Sequence, residues 1–109
     1  MSINGKVAVV SGASRGIGKA IALELGKRGV TVIGTATSEA GAGQISAYLQ
    51  ESGIKGQGLV LDAGSDASVE AFADTVQQSF GAVEILVNNA GITRDNLMLR
   101  MKEDEWDAV

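Results

Sequence analysis

Cysteine, histidine and proline are all absent from this 109-residue sequence, and each absence removes a class of structure or chemistry. Without cysteine no disulfide framework can form, and without cysteine or histidine no zinc site of the usual ligand types can be built. Ser-His-Asp and Cys-His nucleophilic machinery is excluded for the same reason. Aromatic residues are scarce, with two Phe, one Tyr and one Trp, so the core must come from Val, Ile, Leu and Ala. No run of Lys and Arg occurs, and the net charge is −4. A duplex binder needs a cationic stripe to displace counterions, so no nucleic-acid partner is expected. No apolar run reaches membrane length and no signal-peptide core precedes the first strand-like segment. The expectation is a protein of the cytoplasm with no membrane partner.

What is present reads as one globular domain over 1–109. Apolar residues make up 45% and charged residues 20% of the chain, and its 15 glycines sit at the ends of apolar runs. Lys6–Ser11 is a β-branched run that reads as a strand buried on both faces. Ile17, Ala20, Ile21 and Leu25 then recur at helical spacing, and Gly29 is a natural stop. Val30–Gly34 reads as a second strand. Ser38 can cap a second helix with Ile45, Tyr48 and Leu49 on its apolar face. A third strand is expected over Gly58–Asp62. Asp66 is the expected N-cap of a third helix carrying Val69, Phe72, Ala73, Val76 and Phe80, and Gly81 ends it. Val83–Asn88 reads as a fourth strand. A helix is expected from about Lys102 to Val109, with the chain ending inside it. Alternation of strand and helix with short connections predicts βαβ units on a parallel sheet.

The segment Gly12-Ala13-Ser14-Arg15-Gly16-Ile17-Gly18 lies between the first strand and the first helix. Such a join suits a pyrophosphate. Gly12 permits the tight turn, Gly16 lets backbone approach the ligand, and Gly18 lets the helix pack close to the sheet. The helix N-terminus adds open N–H groups and a partial positive charge. A plain turn built from small residues is the alternative, and the position between a strand and an amphipathic helix favours the phosphate loop. The spacing is G-x-x-x-G-x-G rather than G-x-G-x-x-G. With Ser11 in front, the segment closely resembles the cofactor loop of short-chain dehydrogenases/reductases, where the first residue is more often Thr and Ser keeps the hydroxyl. The resemblance implies that Gly12, Ser14, Arg15, Gly16, Ile17 and Gly18 bind the cofactor. It also implies a Rossmann-type doubly wound sheet whose first four strands stand in the order 3-2-1-4.

The choice of nucleotide turns on the end of the second strand, where NAD enzymes place an acid for the adenosine ribose. Gly34-Thr35-Ala36-Thr37-Ser38 contains none, and Glu39 is expected in the following turn. Arg15 reads either as a solvated loop residue or as a partner for a 2′-phosphate, with Thr37 as a hydroxyl donor. The pattern favours NADP(H). Asp62 also has two readings. It is a turn residue, or, by the resemblance, it accepts a hydrogen bond from the adenine amino group while Ala63 touches the ring.

Asn88-Asn89-Ala90-Gly91 matches a second hallmark of the same family. By that resemblance Asn88 steadies the sheet, while Asn89, Ala90 and Gly91 line the ribose side of the cofactor. The likeness extends over the whole chain. Gly34–Glu39 and Ile92–Met98, leading to Met101-Lys102 and Glu105-Trp106, look like the 3-oxoacyl-[acyl-carrier-protein] reductases of fatty-acid biosynthesis. The resemblance therefore implies NADPH-dependent reduction of an acyl-carrier-protein-linked 3-oxoacyl substrate by a homotetramer. The Leu97, Met98, Leu99 and Met101 cluster is better read as core packing than as a substrate site, and Trp106 as a packing or subunit contact.

In that family a Tyr donates the proton, a Lys four residues later lowers its pKa, and a Ser and an Asn assist. Tyr48 is the lone tyrosine and is followed four residues on by Ser52, so no catalytic residue is expected in this chain. The expectation is a cofactor-binding half, inactive alone, whose C-terminal half is missing. Its fourth strand should then be an exposed apolar edge that leaves the isolated chain marginal. A stand-alone nucleotide-binding or assembly module is the competing class, and a relative acting on another ketone is the competing enzyme.

Overall fold

A computed structural model describes residues 3–62, 64–87 and 107–108. In chain order the elements are β1 (Val7–Val10), α1 (Gly16–Lys27), β2 (Thr31–Ala36), α2 (Glu39–Glu51), β3 (Gly56–Val60), α3 (Asp66–Phe80), β4 (Ile85–Val87) and β5 (Asp107–Ala108). The strands form one sheet in the order β3-β2-β1-β4-β5. All pairings are parallel, with Val7 opposite Thr31, Ala8 opposite Ile85 and Val32 opposite Gly56. The four expected strands stand in the expected order 3-2-1-4.

The two-residue period of β1 divides the core. Val7 and Val9 point to one face and join Val69, Phe72, Ala73 and Val76 of α3. Ala8 and Val10 point to the other and join Ala22 of α1 with Ile45, Tyr48 and Leu49 of α2. Helices thus cover both faces, which is why β1 can be apolar at every position.

Several boundaries differ from expectation. β2 runs on through the buried residues Thr35 and Ala36, so only Thr37 and Ser38 project beyond it. β3 begins at Gly56 because its register with β2 carries Val32–Ala36 opposite Gly56–Val60. β4 is shorter than Val83–Asn88, although buried Val83 and the Glu84 N–H, which donates to the Val7 carbonyl at 2.9 Å, extend its packing. Ser65, not Asp66, caps α3, because its extended backbone lets its hydroxyl accept from the Ser68 N–H at 3.2 Å. Glu39 is the first residue of α2 rather than part of a turn, where a carboxylate suits the positive helix end.

Two expectations near the C-terminus are corrected. Asp107 and Ala108 are not helical but pair in parallel with Ile85 and Leu86 as β5. β4 is therefore not the bare edge expected. The unpaired backbone groups along such an edge are what a further strand satisfies. The rest of the expected helix from Lys102 lies outside the described residues.

Candidate functional site

Parallel strands that all run one way bring the loops after β1, β2 and β3 to a single edge of the sheet. The strand order sets Asp62, Thr37 and the glycine loop in a row along it, with strands spaced by about 4.8 Å. Asp62 and the loop are thus separated by about 10 Å, two strand spacings. This carboxyl edge is where doubly wound sheets bind ligands.

The loop is built for a left-handed path. Gly12 has φ 62° and Gly16 φ 65°, values that other residues rarely adopt. Arg15 occupies the N-cap of α1 with extended backbone and makes no side-chain capping bond, and the first turn holds no acid. The N–H groups that helix geometry leaves open there are not satisfied by the capping residue. The contrast is internal to the fold, since Ser38 and Ser65 both cap their helices. A β-carbon built on Gly16 would meet nothing within 4 Å, so space stands in front of the loop. An open helix end, bare of carboxylates and facing free space, fits a pyrophosphate.

Around this centre the expected site residues fall as follows. Gly18 is buried beneath the first turn of α1, and Ser14 is half-buried. Arg15 and Thr37 are exposed, each at the carboxyl edge of the sheet. Ile17 is 72% exposed, which corrects its place on the core face of α1. Ala20 is exposed as well, and the helix instead buries Gly18 and Ala22 with Ile21 and Leu25 half-buried beside them. An apolar side chain held outward at the loop suits contact with a flat ring, while core packing does not explain it.

Asp62 is exposed, and its Oδ1 accepts the Gly64 N–H at 3.0 Å, so the turn role is real. A carboxylate has further lone-pair sites, and the adenine role is compatible with that bond. Ala63, Asn88, Asn89, Ala90 and Gly91 lie outside the described residues.

The sequence reading missed what holds the loop. The Ser11 hydroxyl donates to the Val87 carbonyl at 3.3 Å, the Ala13 N–H to Thr35 O at 3.0 Å, and the Tyr48 hydroxyl to Ala13 O at 2.6 Å. Burial pushes the Tyr48 phenol up to about 12, so it remains a donor well above neutral pH. The signal for a partner was the buried tyrosine itself, because a phenol in a core must place its hydroxyl somewhere.

Cavities among the described residues lie away from the loop. One of about 280 Å³ runs between edge strand β3 and α3, lined by Leu59, Val60, Ser68, Phe72 and Thr75. Another, of about 360 Å³, lies at the amino ends of β2 and β3 against Asn4, Gly29, Thr31 and Lys55. Among the described residues no helix is long and apolar enough to cross a membrane.

Comparison with known proteins agrees with this geometry. The family model for short chain dehydrogenase matches residues 6–109. The chain is 62% identical over 106 residues to a 3-oxoacyl-[acyl-carrier-protein] reductase of Pseudomonas aeruginosa, covering 97% of this chain and 43% of that protein. It is 58% identical over 109 residues to the reductase of that name from Salmonella typhimurium, and 56% to the one from Escherichia coli, covering 100% of this chain and 43% of each relative. The chain thus spans less than half the length of these curated relatives.

Proposed function

Because this chain belongs to the short chain dehydrogenase family, we propose that it is the dinucleotide-binding part of an NADPH-dependent 3-oxoacyl-[acyl-carrier-protein] reductase. The observation that carries the reading is the uncapped, acid-free N-terminus of α1 behind a left-handed glycine loop at the carboxyl edge of the sheet.

The residues present fit such a cofactor. Gly12, Ser14, Gly16 and the first turn of α1 would hold the pyrophosphate through backbone N–H groups, with Gly18 keeping the helix close to the sheet. Arg15 would pair with the 2′-phosphate in charge-assisted hydrogen bonds, and Thr37 would add its hydroxyl. No acid stands at the end of β2 itself, and Glu39 is the first residue of α2. Asp62 and Ala63 would stand at the adenine, and Asn89, Ala90 and Gly91 at the ribose side. Ile17 would cover an apolar face of the nucleotide. A bound nicotinamide supplies the hydride for a ketone carbon. The described residues bind and orient, and the proton for the resulting alkoxide comes from outside them.

The relatives' names support the acyl-carrier-protein-linked 3-oxoacyl substrate, and with it a place in fatty-acid biosynthesis. We place the intact protein in the cytoplasm as a homotetramer; light scattering after size exclusion tests the tetramer, and fractionation of cells tests the location. The test of cofactor choice is calorimetric titration of the protein carrying this chain with NADPH and NADH. Tighter binding of NADPH, lost in Arg15→Ala while NADH binding is retained, is the expected result. Equal affinities, or an Arg15→Ala effect identical for both, would reject NADPH specificity. Oxidation of NADPH dependent on a 3-oxoacyl thioester tests the reaction, and its absence in an intact, NADPH-binding protein would reject the substrate.

A further inference from the structure

Tyr48 shares the buried face of α2 with Ala42, Ile45 and Leu49, yet its hydroxyl reaches across 35 residues of sequence to the glycine loop. Its acceptor, Ala13, is fully buried and held by two hydrogen bonds in a space with no room beside Gly34. The Ala13 N–H is bound to Thr35 O and its carbonyl to Tyr48, and a β-carbon on Gly34 would lie 2.9 Å from its methyl. Gly12 and Gly16 flank this point with left-handed backbone. Glycines allow the peptides of a loop to rotate, so something else must select the arrangement that turns N–H groups, and not carbonyls, toward an anion. A carbonyl bound to a buried hydroxyl cannot turn its negative end outward without leaving both groups unsatisfied.

We propose that Tyr48 is a positioning residue for the nucleotide, locking the glycine loop in its pyrophosphate-accepting form through the Ala13 carbonyl. The inference rests on the dinucleotide reading above and extends it to a residue outside the loop. The Tyr48 ring has a separate contact, with the Lys19 ammonium 5.2 Å from its centroid. Tyr48→Phe keeps that ring and removes only the hydroxyl, so it isolates the bond to Ala13.

The experiment titrates the intact protein carrying this chain with NADPH and with adenosine 2′-monophosphate, which lacks a pyrophosphate. Tyr48→Phe should weaken NADPH binding about tenfold, the loss expected when a buried carbonyl loses its donor. It should weaken adenosine 2′-monophosphate binding less than NADPH binding, because that ligand loses no pyrophosphate contact, and raise the KM for NADPH at constant kcat. Val76→Ala, which opens the core on the other face of the sheet, controls for lost stability and should not change the NADPH affinity. Exchange of the Ala13 amide, whose N–H is bound to Thr35 O at 3.0 Å, should quicken in Tyr48→Phe and not in Val76→Ala. Unchanged NADPH affinity, unchanged exchange, or an equal loss for both nucleotides would overturn the proposal. A wild-type protein that binds neither NADPH nor NADH would instead overturn the dinucleotide reading beneath it.

Discussion

Gly34 is the point where strand, loop and helix crowd together, and alanine there should cost stability and nucleotide affinity at once. A β-carbon at Gly34 would lie 2.7 Å from Ile45 Cγ2 and 2.9 Å from Ala13 Cβ. Carbon atoms rest at about 3.5–4.0 Å, so both contacts are too short by roughly 0.6–1.3 Å. Neither neighbour has room to retreat, since Ile45 and Ala13 are fully buried and Ala13 is held by two hydrogen bonds. Gly34 is not among the left-handed glycines, so alanine meets no backbone strain, and its stiffer unfolded chain contributes about 0.4–1 kcal/mol in favour of folding. Overpacking costs about 1–3 kcal/mol. The balance is a loss of up to about 2.6 kcal/mol, centred on about 1.3 kcal/mol. Urea unfolding should show a lower midpoint at unchanged m, and calorimetry should show weaker NADPH binding because Ala13 is one of the displaced groups. A Gly34→Ala protein as stable as wild type, with full NADPH affinity, would refute the reasoning.

Gly43 is exposed within α2 with nothing within 4 Å of its missing β-carbon, so Gly43→Ala should raise stability by about 0.5–1 kcal/mol in the same urea assay. Ser38→Ala removes the 3.1 Å bond from the Gly41 N–H and should cost about 1 kcal/mol, read as a lower urea midpoint. The Tyr48 phenol is raised from 10.0 to about 12 in the folded state, so its contribution is complete below pH 10 and is lost as pH climbs toward 12. That loss is about 2–3 kcal/mol, and stability measured against pH in Tyr48→Phe should lack this component of the alkaline decline.

Local patterns carried most of the fold. Val7–Val10 announces a strand buried on both sides, and once helices alternate with such strands the parallel order follows from right-handed crossovers. Errors gathered where tertiary partners set the limits. β3 begins at Gly56 because β2 offers a partner from Val32 onward, although Gly56-Gln57-Gly58 has little strand propensity of its own. Ile17 fits the helical period, yet it opens α1 at the mouth of the loop, where the sheet offers no wall to pack against. Asp107 and Ala108 show the same rule in reverse, since the backbone of β4 pairs with them although the sequence pattern from Lys102 predicts a helix.

The candidate site divides along the same line. The glycine loop is legible because one strand end and one helix start supply it, all within Ser11–Gly18. The parts that hold that loop in shape come from far away in sequence: Thr35 on β2, Tyr48 on α2 and Val87 on β4. The sequence shows that Tyr48 lies on a core face and that a buried phenol needs an acceptor, but periodicity contains nothing that selects Ala13. Gly34 is harder still to read, because a missing side chain leaves no pattern and its meaning appears only when Ile45 and Ala13 close over it. Loop chemistry can therefore be identical in two sequences while the support beneath it differs. Differences in nucleotide affinity between chains sharing the Ser11–Gly18 segment should then track residues at positions 34 and 48 rather than the loop itself.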